Sequence, residues 1–420
     1  MSRNRHKQLR AIGIIILIVS ACYLAVTVSE KTKTEFYDET AYSLSRDEKS
    51  GSGGFGGSQS IESIEPYLSS LSSLSMNDTF YYNNLSDEEK GVYNQIYNIF
   101  INRLDYTEVN CSDYDEVSNI THKVMFDHPE LFYISKNLYR IPEDGNIQVT
   151  GKIEMTEDEI EDYIVKLKEY TSEAMNGLDS ISIESQYEIA LHFYDYIIEN
   201  AKYSKESPYN QNLASVLDGE TVCLGYSKMF KFLCDRVGIK NIIVVGYAEG
   251  ESHAWNLVEL DGSWCYIDLT YGYSHRKNIE DMHSSFGMTK QQLDRIYIID
   301  DKEINISSLP VADSLENNYM YKNGLYFEEY DEDRLREILR EATETKEEVT
   351  ENGDITIRKS KSRQKVIQVS TEAVMNEIYK KLTDSNNFNK LYPGDIDSVM
   401  VDKIDSKLLL YITLKIKPDA

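Results

Sequence analysis

Three residues in the middle of this chain carry types and spacings suited to nucleophilic chemistry: Cys223, His253 and Asp268. Helical spacing starts at Cys223 and continues through Tyr226, Met229, Phe230, Leu233 and Val237, with Gly238 as a natural stop, so the thiol falls at or near a helix N-terminus. Unpaired backbone N–H groups and the positive end of the helix dipole favour a thiolate there, and the same N–H groups can bind an oxyanion.

The other two residues belong to a hairpin. Ser252 to Leu260 and Ser263 to Thr270 read as strands joined by Asp261-Gly262, a strong two-residue turn signal. With Leu260 facing Ser263, Trp255 lies opposite Asp268 and His253 opposite Thr270. Alternation then puts His253 and Asp268 on one face as diagonal neighbours, roughly 7 Å apart at the backbone. A one-residue slip would separate them. A thiol at a helix head, an imidazole and an orienting acid are the parts of thiol acyl transfer: Cys223 attacks a carbonyl, His253 moves the proton and Asp268 fixes the ring. Taken one at a time, a free cysteine is usually a small buried hydrophobe and a strand histidine a structural group, so the weight rests on their conjunction.

The surrounding strings supply a second line of inference. Val222-Cys223-Leu224-Gly225-Tyr226, the Val237-Gly238-Ile239 turn, His253-Ala254-Trp255-Asn256 and Asp268-Leu269-Thr270 resemble, in order, the motifs of the transglutaminase-like superfamily, specifically its bacterial transglutaminase-like domain proteins. The resemblance covers roughly residues 180–310. It implies a papain-like fold and assigns Cys223, His253 and Asp268 as the catalytic triad. There are departures: Leu224 stands where many relatives carry Gln, Tyr271 where many carry Trp, and Leu213 where an aromatic residue is common. The second oxyanion donor is therefore open, with Gln211 and Asn212 the nearby polar candidates. Trp255 and Asn256 read as structural or pocket-lining, and His122 and His128 as surface or capping groups.

These motifs sit in a longer architecture. Arg3, Arg5, Lys7 and Arg10 precede an uncharged run over 11–29, long enough for a membrane-spanning helix with the N-terminus inside. A cleaved signal peptide and a lipoprotein signal ending at Cys22 share that topology; the apolar residues after Cys22 favour the single-pass anchor. A Ser/Gly-rich stretch over 30–75 reads as a flexible tether. The expected units behind it are a mainly helical region (76–180), the transglutaminase-like domain (181–320) and a small α+β domain (321–420) whose alternation suggests a ferredoxin-like sheet. The fold class expected is α+β.

Composition sets further bounds. A net charge of −27 repels phosphate backbones and argues against nucleic-acid partners. Five cysteines without a C-x-x-C pair signal neither a zinc site nor a disulfide scaffold, and no phosphate loop or ligand spacing points to a cofactor. The expectation is a thiol acyl-transfer enzyme acting on peptide or isopeptide bonds of proteins or peptides, with cell-envelope substrates suggested by the anchor alone. Hydrolysis comes first and Gln–Lys transamidation second. The competing class is a non-catalytic surface binding module that keeps the fold.

Overall fold

The computed structural model describes residues 79–417 except 144, 177, 179–184, 208, 345–346, 352–353, 359–361 and 393–395. The expected anchor over 11–29, Cys22 and the tether lie outside the described residues, among which no helix is long and apolar enough to cross a membrane.

The chain opens with α1 (Phe80–Asn83) and α2 (Asp87–Ile101). Ser86 caps α2 in a capping box with Glu89, as Ser-Asp-Glu-Glu before an apolar stripe leads one to expect. After β1 (Thr107–Glu108) come α3 (Tyr114–Asp127), β2 (Ile134–Arg140), β3 (Gln148–Ile153) and α4 (Glu157–Asn176). The expected mainly helical region thus includes an antiparallel sheet of order β1-β3-β2. His128 ends α3 as its C-cap, yet it is buried and bonded to Glu130 at 2.9 Å; His122 is half-buried and bonded to Glu303 at 2.9 Å. Neither is a surface group, because an aromatic layer including Tyr97 covers the first and a carboxylate from a distant loop meets the second.

Next come α5 (Gln186–Asn200), β4 (Lys202–Tyr203), α6 (Leu213–Leu217), β5 (Glu220–Thr221) and α7 (Cys223–Arg236). Every residue of α7 from Cys223 to Cys234 is buried. A helix enclosed on all sides is the central element of its domain, and here one apolar cluster runs from Val92 and Phe100 of α2 through Phe193 of α5 to Phe230 of α7. The N-terminal helices are therefore a layer on the α7 side of the domain.

The sheet follows: β6 (Asn241–Ala248), β7 (Glu251–Leu260), β8 (Ser263–Ile267), α8 (Leu269–His275), α9 (Ile279–Met282), β9 (Phe286–Met288), α10 (Lys290–Leu293) and β10 (Tyr297–Ile299). Its order is β10-β6-β7-β8-β9, antiparallel throughout. The β7–β8 register is the one expected, with Leu260 facing Ser263 and Asn256 facing Ile267. Asp261 and Gly262 both take positive φ (49° and 88°), which matches the twist of a tight hairpin. One expectation fails: β8 ends at Ile267 rather than running to Thr270, because the Asp268 side chain accepts the Thr270 and Tyr271 N–H groups and starts α8.

The C-terminal unit contains α11 (Tyr319–Lys322), β11 (Tyr326–Phe327), α12 (Glu332–Glu344), the hairpin β12 (Glu347–Glu351) and β13 (Asp354–Arg358), β14 (Ser362–Val369), α13 (Glu372–Thr383), α14 (Phe388–Leu391), β15 (Ile396–Ile404) and β16 (Leu409–Ile416). Its sheet runs β11-β14-β16-β15, with β11 parallel to β14. That is not the interleaved order of a ferredoxin-like sheet: among the described residues the β12–β13 hairpin pairs only with itself, and β15 and β16 close side by side through a short turn. This unit has its own apolar core. Polar contacts seat it on the preceding part of the chain: Tyr411 donates to Asp281 at 2.7 Å, and Lys365 pairs with Glu280 at 2.7 Å.

Gly225 shows how tightly the head of α7 is held. A Cβ there would lie 1.9 Å from Thr221 Oγ1 and 2.9 Å from the Asn210 carbonyl. Gly225→Ala is expected to destabilise the chain by about 1–3 kcal/mol through overpacking, read as a shift of the denaturation midpoint. A variant as stable as the wild type would show that the loop before α7 yields freely.

Candidate active site

Cys223 is the first residue of α7, and Val222 before it offers no side-chain cap. The first-turn N–H groups of α7 are therefore donors without intrahelical partners. Cys223 is 4 % exposed, and its thiol lies close enough to the His253 imidazole to act on its charge. Tyr203, at the end of β4, lies close enough for the two to interact electrostatically.

His253 projects from β7 and uses Nε2 to donate to Asp268 Oδ2 at 2.9 Å. That leaves Nδ1 for the sulfur. The ring is packed against Trp255 and Tyr297, each with its centroid 5.9 Å away and nearly parallel to it. Asn256, next on the strand, ties β7 to α7 by donating to the Ser227 carbonyl at 3.1 Å and to Asn241 Oδ1 at 2.7 Å. Trp255 and Asn256 are completely buried and hold the frame.

Asp268 is buried and fully engaged. Oδ2 accepts from His253 and from the Tyr297 hydroxyl at 2.7 Å, and Oδ1 accepts from the N–H groups of Thr270 and Tyr271 at 2.9 and 3.2 Å. Burial alone would raise its pKa; the charge and hydrogen bond of His253, the Tyr297 hydroxyl and the nearby Lys407 charge outweigh it and hold the carboxyl below its usual range. For His253, burial would lower the pKa, but the Asp268 charge and hydrogen bond, helped by Cys223, push it up to about 10.

The pH consequence has a definite sign. The folded value lies above the ordinary value of about 6.5, so the imidazolium stabilises the fold fully below that value, and the contribution is lost as pH rises through about 10. His253→Gln should flatten the stability–pH curve relative to wild type between those limits. The comparison removes the opposing titrations of Lys228 and Lys407, which burial pulls down to about 8. Parallel curves for the two proteins would contradict the assignment.

The structure thus brings Cys223, His253 and Asp268 together. It does not bring in Gln211 or Asn212: Gln211 is exposed, and Asn212 is buried with its amide donated to the Ile134 carbonyl (3.2 Å) and its Oδ1 taken by Lys228 (3.2 Å). Two site residues escaped the sequence reading, Tyr297 and Lys407. Tyr297 lies on an edge strand 29 residues past Asp268 with no motif around it. Lys407 comes from the C-terminal unit and lines, with His253, Asp268 and Tyr297, a cavity of about 410 Å³. Among the described residues no cluster of His, Cys, Asp or Glu is arranged to hold a metal.

Comparison with known proteins agrees with the family resemblance. The family model "Transglutaminase-like superfamily" matches residues 178–269. Kyphoscoliosis peptidase of Mus musculus is 28 % identical over 93 residues, which is 19 % of this chain and 14 % of that protein. Its Homo sapiens counterpart is 34 % identical over 65 residues, 13 % of this chain and 10 % of that protein. The chain therefore covers only a small fraction of the length of these relatives. Among solved structures, "Crystal structure of a TGase" is 18 % identical over 32 % of this chain and 44 % of its own, with a TM-score of 0.25. A putative cysteine protease from Cytophaga hutchinsonii is 15 % identical over 32 % of this chain and 61 % of its own, with a TM-score of 0.22. The mixed helix-and-strand content is consistent with a transglutaminase-like core.

Proposed function

We propose that this chain, whose residues 178–269 match the transglutaminase-like superfamily model, is a thiol acyl-transfer enzyme acting on peptide or isopeptide bonds, with Cys223, His253 and Asp268 as its triad. The observation that carries this reading is an imidazole bonded to a buried carboxylate at 2.9 Å and lying next to a thiol at a helix head. In the forward step Cys223 Sγ bonds to the carbonyl carbon. The oxyanion forms beside the free N–H groups at the head of α7. The C–N bond then breaks, and the proton on His253 passes to the departing amine. Asp268 holds the ring and the charge it carries. Water resolves the thioester in the preferred, hydrolytic course, with His253 taking its proton; a lysine amine would resolve it in transamidation. In this reading the basic and apolar N-terminus is a membrane anchor, and the chemistry acts outside the membrane on envelope proteins or peptides.

The burial of Cys223, 4 % exposed, favours the competing reading, a binding module that keeps the fold without turnover. Covalent trapping separates the two. The full-length chain in detergent micelles is incubated with a casein digest, quenched in acid and mapped by mass spectrometry. An acyl adduct on the Cys223 peptide, shortened in lifetime by hydroxylamine, is the expected result. The binding module predicts no adduct. Added glycine methyl ester then reports the course: unchanged free-acid products mean hydrolysis, and amide-capped products mean transfer.

A further inference from the structure

We propose that the cavity between His253 and the β15–β16 turn is the subsite for the leaving half of the substrate, and that Lys407 binds a carboxylate there. This rests on the acyl-transfer reading and names the substrate class for that same site.

The turn is held in place as a built element. Arg295 of the preceding domain donates to the Asp405 carbonyl at 3.0 Å and the Ser406 carbonyl at 3.2 Å. The same guanidinium pairs with Glu372 at 3.2 Å. Leu408, immediately after Lys407, is held at φ 54°, a conformation that a non-glycine residue keeps only when its surroundings impose it. The result is a lysine from the C-terminal unit facing the His253–Asp268 pair across a cavity of about 410 Å³.

The Lys407 ammonium is in no hydrogen bond or ion pair given by the geometry of the described residues; it lies over the Tyr271 ring, 2.9 Å from the centroid. The nearby acids do not satisfy it. Asp268 already accepts four hydrogen bonds, from His253, Tyr297, Thr270 and Tyr271. Glu249 is exposed at the β6–β7 turn and forms no ion pair with it. Burial lowers the Lys407 pKa to about 8 despite both acids, as expected for a cation whose desolvation is not offset by a partner. A ligand carboxylate would supply the missing acceptor with a charge-assisted bond. The cavity borders His253 on its Asp268 and Tyr297 side and is not lined by Cys223; the part of the substrate that departs past the imidazole, away from the sulfur, extends into it. A carboxylate there is either the chain terminus or an acidic side chain next to the scissile bond.

The test uses three pools of N-acetylated hexapeptides of varied sequence: one ending in free carboxylates, one the same but amidated and free of Asp and Glu, and one amidated with Asp and Glu included. Turnover is measured with the wild type, Lys407→Met and Lys407→Arg, whose folding is checked by melting temperature. The wild type should favour a carboxylate on the leaving side by about tenfold or more. The first pool reveals a terminal carboxylate, the third an acidic side chain. Lys407→Met should bring that ratio close to one while still cleaving the neutral pool, and Lys407→Arg should keep most of the preference. A wild type that cleaves all pools equally, or a Lys407→Met variant that keeps the preference, overturns the subsite and leaves the enzyme reading standing. A wild type that cleaves none of them, or Cys223→Ala cleaving as well as wild type, overturns the enzyme reading and the subsite with it.

Discussion

Cys223→Ala is expected to lower peptide turnover by four to six orders of magnitude, the scale seen when one member of a cooperating triad is removed. The loss follows from the division of labour at the head of α7. The sulfur is the only group there able to form a covalent bond with the carbonyl carbon, while the helix N–H groups and the imidazole act on charge and protons that appear only once the bond is forming. The fold should survive, since Cys223→Ala removes one atom from a site where the helix is anchored elsewhere, by Asn256 on Ser227 and by the Tyr226 hydroxyl on the Ala201 carbonyl at 2.8 Å. Iodoacetamide provides a parallel readout. Cys234 and Cys265 are completely buried, with thiols that burial pushes up, so fast alkylation should map to Cys223 and slow down in His253→Ala. Turnover retained in Cys223→Ala, or wild-type alkylation no faster than that of an unfolded thiol, would defeat the enzyme reading.

Asp268 predicts a double loss. Its carboxylate holds the imidazole and also caps α8, two tasks that different substitutions separate. Asp268→Asn keeps an oxygen for the Thr270 and Tyr271 N–H groups but removes the charge and presents the wrong partner to His253. It should cost roughly 10⁴-fold in turnover and bring the His253 pKa down from about 10 toward its ordinary value, which an imidazole NMR titration measures directly. Asp268→Ala removes the cap as well and leaves a buried imidazolium and the Tyr297 hydroxyl without their acceptor. Breaking a buried pair on one side costs about 3–5 kcal/mol, so this variant should melt far below Asp268→Asn. Equal stability of the two would mean that the cap and the ion pair contribute little, and an unchanged His253 titration in Asp268→Asn would remove the stated cause of its raised pKa.

The outline of the site was legible because its parts are local or joined by a short turn. Helix start and stop signals bracket α7, so Cys223 could be placed at its head from periodicity alone. The Asp261-Gly262 turn fixes the β7–β8 register, and register fixes which side chains share a face. Even so, the meeting of His253 and Asp268 is made differently from the expectation. Asp268 stands past the end of β8 and reaches His253 from a helix cap, since a carboxylate facing two free N–H groups starts a helix more readily than it extends a strand.

What the sequence by itself determined is the set of elements and the chemistry each carries: a thiol at a helix head, an imidazole on a strand, and a carboxylate one hairpin later. Which groups complete that set was decided only by tertiary packing. Asn212 looked available from its place in the chain, but packing gives both ends of its amide to Ile134 and Lys228. Tyr297 reaches Asp268 from an edge strand, and Lys407 reaches the same cavity from a separate domain, 139 residues along the chain from Asp268. No periodicity or turn links such distant positions; they meet because polar contacts through Asp281, Glu280 and Arg295 seat one folded unit against another.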